Sequence, residues 1–235
     1  MLADDSAAAV GGSLDTALHL PGTFLQSVVQ FIADELPRWR DDPRRRSATK
    51  ETTLTAQLCG VLNGAARRAG MDELVFQAEL PDAVRGARTI DLVPAPRGRT
   101  MWIGTREYTC YDPLFPIECK RLPTPDVPKR ERREYLHTRK KTTGGVQRFM
   151  AGDHGSDHDV GAIIGYVQTR NVGEWLTTLN HWAAALARMT IGRWTISDAL
   201  TLEMHDLRER RILATSLHPR AGSGPIALWH LLIEM

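Results

Sequence analysis

Residues 88–122 read RTIDLVPAPRGRTMWIGTREYTCYDPLFPIECKRL, and the two ends of this stretch decide how the chain is expected to fold. At its start, the β-prone run from Thr89 to Val93 carries Asp91 between Ile90 and Leu92. At its end, Ile117-Glu118-Cys119-Lys120 alternates apolar and charged positions. Side chains on a strand alternate faces with a period of two, so Ile117 and Cys119 point one way and Glu118 and Lys120 the other. If the two runs are neighbouring strands, their apolar faces share one core and Asp91, Glu118 and Lys120 meet on the opposite side. Two carboxylates side by side repel each other, and a divalent cation between them removes the repulsion. Hard cations such as Mg²⁺ take oxygen ligands and are held by one or two carboxylates together with substrate phosphate. A lysine beside them adds a compact positive charge for the attacking water or the phosphate. The chemistry this pattern suggests is metal-assisted phosphodiester hydrolysis.

The series Asp91, then Glu118-Cys119-Lys120, then Tyr135, then 144–149 (GGVQRF), then the strand-like 161–168, resembles the PD-(D/E)xK nuclease superfamily, in particular nuclease-like proteins of bacterial restriction and anti-phage systems. The resemblance spans residues 51–168. It departs from the family pattern at Ile90, which stands where the motif name has proline, and in the long connection from Asp91 to Glu118, long enough for an inserted hairpin. It implies an α/β, restriction-endonuclease-like fold, a mixed central β-sheet flanked by helices. It further implies Asp91, Glu118 and Lys120 as catalytic residues, and Mg²⁺ or Mn²⁺ as cofactor on Asp91, Glu118 and the Cys119 carbonyl. Glu51 joins as a ligand from the helix before the core strands, although an acidic residue in a first helical turn is favourable for dipole reasons alone. The alternative is a nuclease-like fold without catalysis, a DNA- or partner-binding subunit of a defence complex. A third reading takes 117–122 as an ordinary strand with an exposed ion pair.

A length of 235 residues, with 42% apolar and 25% charged residues, suits one soluble α/β domain with a modest extension. The net charge of +2 says little, but its distribution does. Residues 120–141 are strongly basic, with Lys129, Arg130, Arg133, Lys140 and Lys141 expected on a helix over 129–142 that either grips a nucleic-acid backbone, DNA by expectation, or is a solvated face. Gly144 and Gly145 allow close approach to phosphate or to another strand. After them, Gln147 and Arg148 either face the cleft or are solvated. Three cysteines without C-x-x-C spacing point to a reducing cytoplasm, and no apolar run reaches membrane-spanning length.

The rest of the chain is read in order. Residues 1–21 are expected as a flexible leader, and 22–235 as one domain. Amphipathic helices are expected over 23–39 and from a Ser47 or Thr49 cap to Gly70, with a charged loop at 41–46 between them. Residues 73–80 and 88–95 form a hairpin, 100–109 extends the sheet or makes the inserted hairpin, and 160–167 is a buried strand. His154 and His158 with their aspartates are read as a polar loop rather than a transition-metal site. Asn171 and Glu174 have capping-box spacing ahead of a helix bearing Trp175, Leu179 and Trp182. Three strand-like runs within 192–235 widen the sheet or build a recognition or dimerisation element.

Overall fold

The computed structural model describes residues 17–19, 21–81, 89–98, 100–126, 128, 130–139, 142–220 and 223–235. Two helices come first. α1 (Pro21–Arg40) buries Val28, Val29, Ile32, Leu36 and Trp39, and α2 (Glu51–Arg68) buries Leu54, Leu58, Leu62 and Ala65. Both stripes recur every three or four residues, the spacing that keeps one helix face toward a core. α2 begins later than expected: its N-cap is Lys50, with no side-chain cap.

Strands β2 (Leu74–Pro81) and β3 (Thr89–Pro96) pair antiparallel as the expected hairpin; its turn lies outside the described residues. β4 (Met101–Ile103) and β5 (Arg106–Tyr108) form the inserted hairpin, and β1 (Ala17–His19), expected in the leader, pairs parallel with β4. Residues 1–16 lie outside the described set. β6 (Ile117–Leu122) and β7 (Val160–Val167) are parallel, and β7 is also parallel to β10 (Ile226–Glu234). β9 (Arg211–His218) and β8 (Thr201–Asp206) complete a seven-stranded mixed sheet of order β2-β3-β6-β7-β10-β9-β8. The C-terminal segment therefore belongs to the main sheet, and β10 is one of its central strands.

α1 and α2 cover one face, over Ile117, Cys119, Ile164 and Tyr166. α3 (Gly145–Met150) and α4 (Val172–Arg188) cover the other, over Leu122, Ile163, Val167 and Leu232. β7 is buried along nearly its whole length, which explains its almost unbroken apolar sequence. α4 starts as anticipated, the Asn171 side chain accepting from the Glu174 N–H at 2.8 Å. None of the described helices is long and apolar enough to cross a membrane.

Over the described residues 130–139, the basic helix expected at 129–142 is not formed. Residues 132–136 make consecutive turns, held by the Leu136 and His137 N–H groups donating to the Arg133 carbonyl. Its sequence has no apolar stripe at helical spacing; only Tyr135 and Leu136 are large and apolar, and both are fully buried. The two glycines serve this turn. A Cβ on Gly144 would lie 2.5 Å from the His137 backbone, and one on Gly145 2.7 Å from the Tyr135 carbonyl. Close backbone approach is thus what they provide.

Under α4 runs a buried polar chain. Tyr135 O–H reaches His230 Nδ1 at 3.0 Å, His230 Nε2 reaches Ser216 Oγ at 2.7 Å, Ser216 Oγ reaches His218 Nε2 at 2.7 Å, and His218 Nδ1 reaches Asp198 at 2.5 Å. Donation in one direction, from Tyr135 to Asp198, satisfies every atom. Burial, then the neighbouring His218, pushes the His230 imidazole down to about 3. Ser216→Ala leaves two imidazole nitrogens buried without partners and is expected to cost about 2–4 kcal/mol in a denaturant titration. Unchanged stability would show that the chain carries no structural weight.

Candidate functional site

The site forms where two neighbouring strands part. β3 and β6 share a single register pair, Leu92 with Ile117. Beyond it, side chains replace the backbone partner. The Cys119 N–H donates to Asp91 Oδ2 at 2.7 Å, and the Arg121 N–H, two residues on and facing the same way, donates to Glu51 Oε2 at 3.1 Å. A carboxylate from β3 and one from the first turn of α2 thus cap the open edge of β6. α2 is held in place by Asn63, whose amide exchanges hydrogen bonds with the backbone N–H and carbonyl of Phe76 on β2.

Four oxygens converge on the Lys120 ammonium: Glu118 Oε2 at 2.8 Å, the Cys119 carbonyl at 3.0 Å, Asp91 Oδ2 at 3.6 Å and Glu51 Oε1 at 3.8 Å. The alternation of β6 sends Ile117 and Cys119 into the α1–α2 core, leaving Glu118 and Lys120 on the other side. Glu118 is fully buried and Lys120 nearly so. A cleft of about 170 Å³ opens onto the cluster, lined by Glu51, Thr52, Thr55, Ala56, Ala78, Glu79 and Asp91. Glu51 and Asp91 therefore stand on the cleft wall, with Glu118 behind them.

Glu118 is also gripped from α3 and the loop after it. Arg148 Nη1 lies 2.9 and 3.1 Å from its two oxygens, and His154 Nε2 lies 2.8 Å from Oε1. Arg148 thus reaches the site, whereas Gln147 does not: its amide oxygen accepts from the Gly144 and Thr138 N–H groups at 3.3 and 3.0 Å. His154, expected in a polar loop, has a fully buried side chain against Glu118. No local pattern marks it, because its partner belongs to a distant strand. Glu79, likewise unmarked by any local pattern, lines the cleft from a left-handed backbone conformation, φ 55°.

The electrostatics follow from this packing. Burial, then the Glu118 charge, raises the Asp91 carboxyl to about 6. Burial would raise Glu118 as well, but Lys120, His154 and Arg148 together hold it well below the usual carboxylate range. Burial opposes charge on Lys120, yet Glu118, Asp91 and Glu51 hold its ammonium above the ordinary lysine value. The donor set, three carboxylates and a carbonyl, has the hard-oxygen chemistry that Mg²⁺ or Mn²⁺ takes. Among the described residues no group of three or more His, Cys, Asp or Glu is arranged as a metal shell. The Lys120 ammonium stands among the three carboxylates, at 2.8, 3.6 and 3.8 Å from Glu118, Asp91 and Glu51.

The expected nucleic-acid contacts divide. Lys129, Lys140 and Lys141 lie outside the described residues. Arg130 makes a bidentate pair with Glu134, both bonds 2.8 Å, and stands 3.6 Å from Glu51; Arg133 is half-buried. Beside the cluster lies a pocket of about 480 Å³ in which Arg121, Arg130 and Arg132 outnumber the single acid Asp126, with Thr124, Gln168 and Thr169 completing the polar lining. Arg121 and Arg130 connect it to the acidic cluster through Glu51.

Fold and site define an α/β protein whose seven-stranded mixed sheet carries an acidic–lysine cluster at a parting pair of strands. No protein-family model, no curated protein and no solved structure matches the chain.

Proposed function

We propose that this protein is a divalent-metal-dependent nuclease that hydrolyses phosphodiester bonds, with DNA as substrate. The observation that carries this reading is the convergence of oxygens from Asp91, Glu118, Glu51 and the Cys119 carbonyl around the Lys120 ammonium. These oxygens are the groups that would hold Mg²⁺ or Mn²⁺. A bound cation would supply Lewis-acid polarisation of the phosphate and a water of lowered pKa.

The protein's own residues do the remaining work. Arg148 and His154 fix the rotamer of Glu118, so its lone pairs stay aimed. Lys120, on a stem held by β6 and donating to Glu118 and the Cys119 carbonyl, offers its charge and its remaining donor to the attacking water or to the negative charge growing on the phosphate. The water oxygen bonds to phosphorus and gives up a proton to solvent, the bond to the departing sugar oxygen breaks, and that oxygen takes up a proton from solvent. Arg121, Arg130 and Arg132 hold the neighbouring phosphates electrostatically. The resemblance to restriction and anti-phage nucleases extends the proposal to prokaryotic defence in the cytoplasm, with a homodimer or a partner subunit for double-strand cleavage.

Purified protein incubated with plasmid DNA, single-stranded DNA and RNA in Mg²⁺ or Mn²⁺ is expected to cut DNA, and to stop when EDTA is added. Cutting that persists in both Lys120→Ala and Asp91→Ala sinks the assignment. Absence of cutting together with absence of Asp91-dependent Mn²⁺ uptake in calorimetry selects the non-catalytic binding subunit instead.

A further inference from the structure

The arginine run at 44–46, a charged loop by sequence, forms one wall of a third pocket. This pocket, about 420 Å³, lies between the end of α1, the loop and α2, and is lined by Trp39, Asp42, Arg44, Arg45, Arg46 and Gln57. Its size falls in the range of small-molecule sites. It is separate from the catalytic cleft: α2 gives Glu51 and Thr55 to the cleft but Gln57 to this pocket, roughly the opposite face of a helix with 3.6 residues per turn.

Three polar atoms of these lining residues are buried and have no hydrogen-bond partner among the described residues: Trp39 Nε1, Arg45 Nη1 and Gln57 Oε1. Trp39 is only 1% exposed, and an orphaned buried donor is costly. Each side chain is also fixed. Arg45 donates through Nε to the Arg40 carbonyl at 3.2 Å and lies over the Trp39 ring at 5.4 Å. Gln57 donates through Nε2 to the Arg46 carbonyl at 2.9 Å, which orients its oxygen. Asp42, the pocket's acid, is taken up by Arg44 in a bidentate pair at 3.0 and 2.9 Å. Arg46, and Arg45 apart from its longer-range pull on Asp41, make no ion pair among the described residues.

We propose that this pocket binds a nucleotide phosphate. The two orphan donors and the arginine charge suit phosphate oxygens. The orphan acceptor calls for an N–H or O–H on the same ligand, which a base or sugar carries. The phosphate belongs either to a free nucleoside monophosphate or to the end of a nucleic-acid strand.

Calorimetry on the full chain with adenosine and guanosine 5′-monophosphate, inorganic phosphate and 5′-phosphorylated pentathymidylate distinguishes these sources. Binding of a monophosphate assigns the free nucleotide, and binding of the oligonucleotide alone assigns the strand end. Arg45→Ala is expected to weaken binding about tenfold or more, and Trp39→Phe and Gln57→Leu several-fold, while Asp91→Asn leaves it unchanged. Circular dichroism checks folding, and if Arg45→Ala does not fold the other two variants decide. The proposal is overturned if no nucleotide binds, if inorganic phosphate binds as well as the nucleotides, if binding ignores the folded pocket variants, or if Asp91→Asn removes it. Because the readout is binding and not cleavage, the result stands apart from the nuclease assignment.

Discussion

Lys120→Met is expected to lower DNA cleavage about 10³-fold and to destabilise the metal-free protein by about 3–5 kcal/mol. Both effects have one cause. The ammonium is the cation shared by Glu118, Asp91 and Glu51 at 2.8, 3.6 and 3.8 Å, and methionine keeps the stem while leaving those carboxylates with less compensation. Arg148 still neutralises Glu118 from the other side, so the variant folds, but the repulsion toward Asp91 and Glu51 is unrelieved. Two dependences identify this mechanism. The deficit narrows as pH falls toward about 6, because Asp91, no longer lowered by Lys120, takes up its proton at a higher pH in the variant than in the wild type. Millimolar Mg²⁺ raises the melting temperature of the variant more than that of the wild type, because the added cation replaces a lost charge. Equal stabilities at pH 8 with no Mg²⁺ response would mean that the carboxylates do not act as one charged cluster.

How far such a cluster is legible in sequence depends on whether its members break a local pattern. Asp91, Glu118 and Lys120 do: each is a charged side chain inside an otherwise apolar strand run, and alternation alone puts Glu118 and Lys120 on one face. β7 and the start of α4 were legible for the same kind of reason, an unbroken apolar run and a capping pair. Glu51 was ambiguous because a first-turn acid needs no site to explain it; its hydrogen bond to the Arg121 N–H exists only because β3 leaves β6 early. Nothing in the sequence announces that early parting. His154 could not be read either, since a histidine in a polar loop looks the same whether it is solvated or reaches a buried glutamate. The charged run at 129–142 misled in the opposite sense, since charge density suggested a helix where burial of Tyr135 and Leu136 dictated turns. Ser216 and His218 share one face of β9, a faint signal that becomes meaningful only once β10 places His230 beside them.

Asp91→Asn is expected to act in opposite directions on stability and on function. Asp91 titrates near 6 in the fold against an ordinary value of 3.8. It therefore favours the fold while protonated, and that contribution, complete below pH 3.8, is lost as pH rises through about 6. A tenfold change in proton affinity corresponds to about 1.4 kcal/mol, and with the side chain 26% exposed solvent relieves part of the cost. Asparagine keeps an oxygen for the Cys119 N–H and carries no charge, so the metal-free variant should exceed the wild type by about 1–2 kcal/mol at pH 8 and match it near pH 4. Cleavage should fall at least about 10²-fold, and the Mg²⁺-dependent rise in melting temperature should largely disappear. Strain of this sign is what a metal site tolerates before its cation arrives, because the ion that overcomes the carboxylate repulsion also carries the chemistry. A variant less stable than the wild type at pH 8 would mean that the Asp91 charge is a net support of the fold through Lys120. The four oxygens would then form a static ion cluster, and the protein's function would have to be sought in its basic pockets.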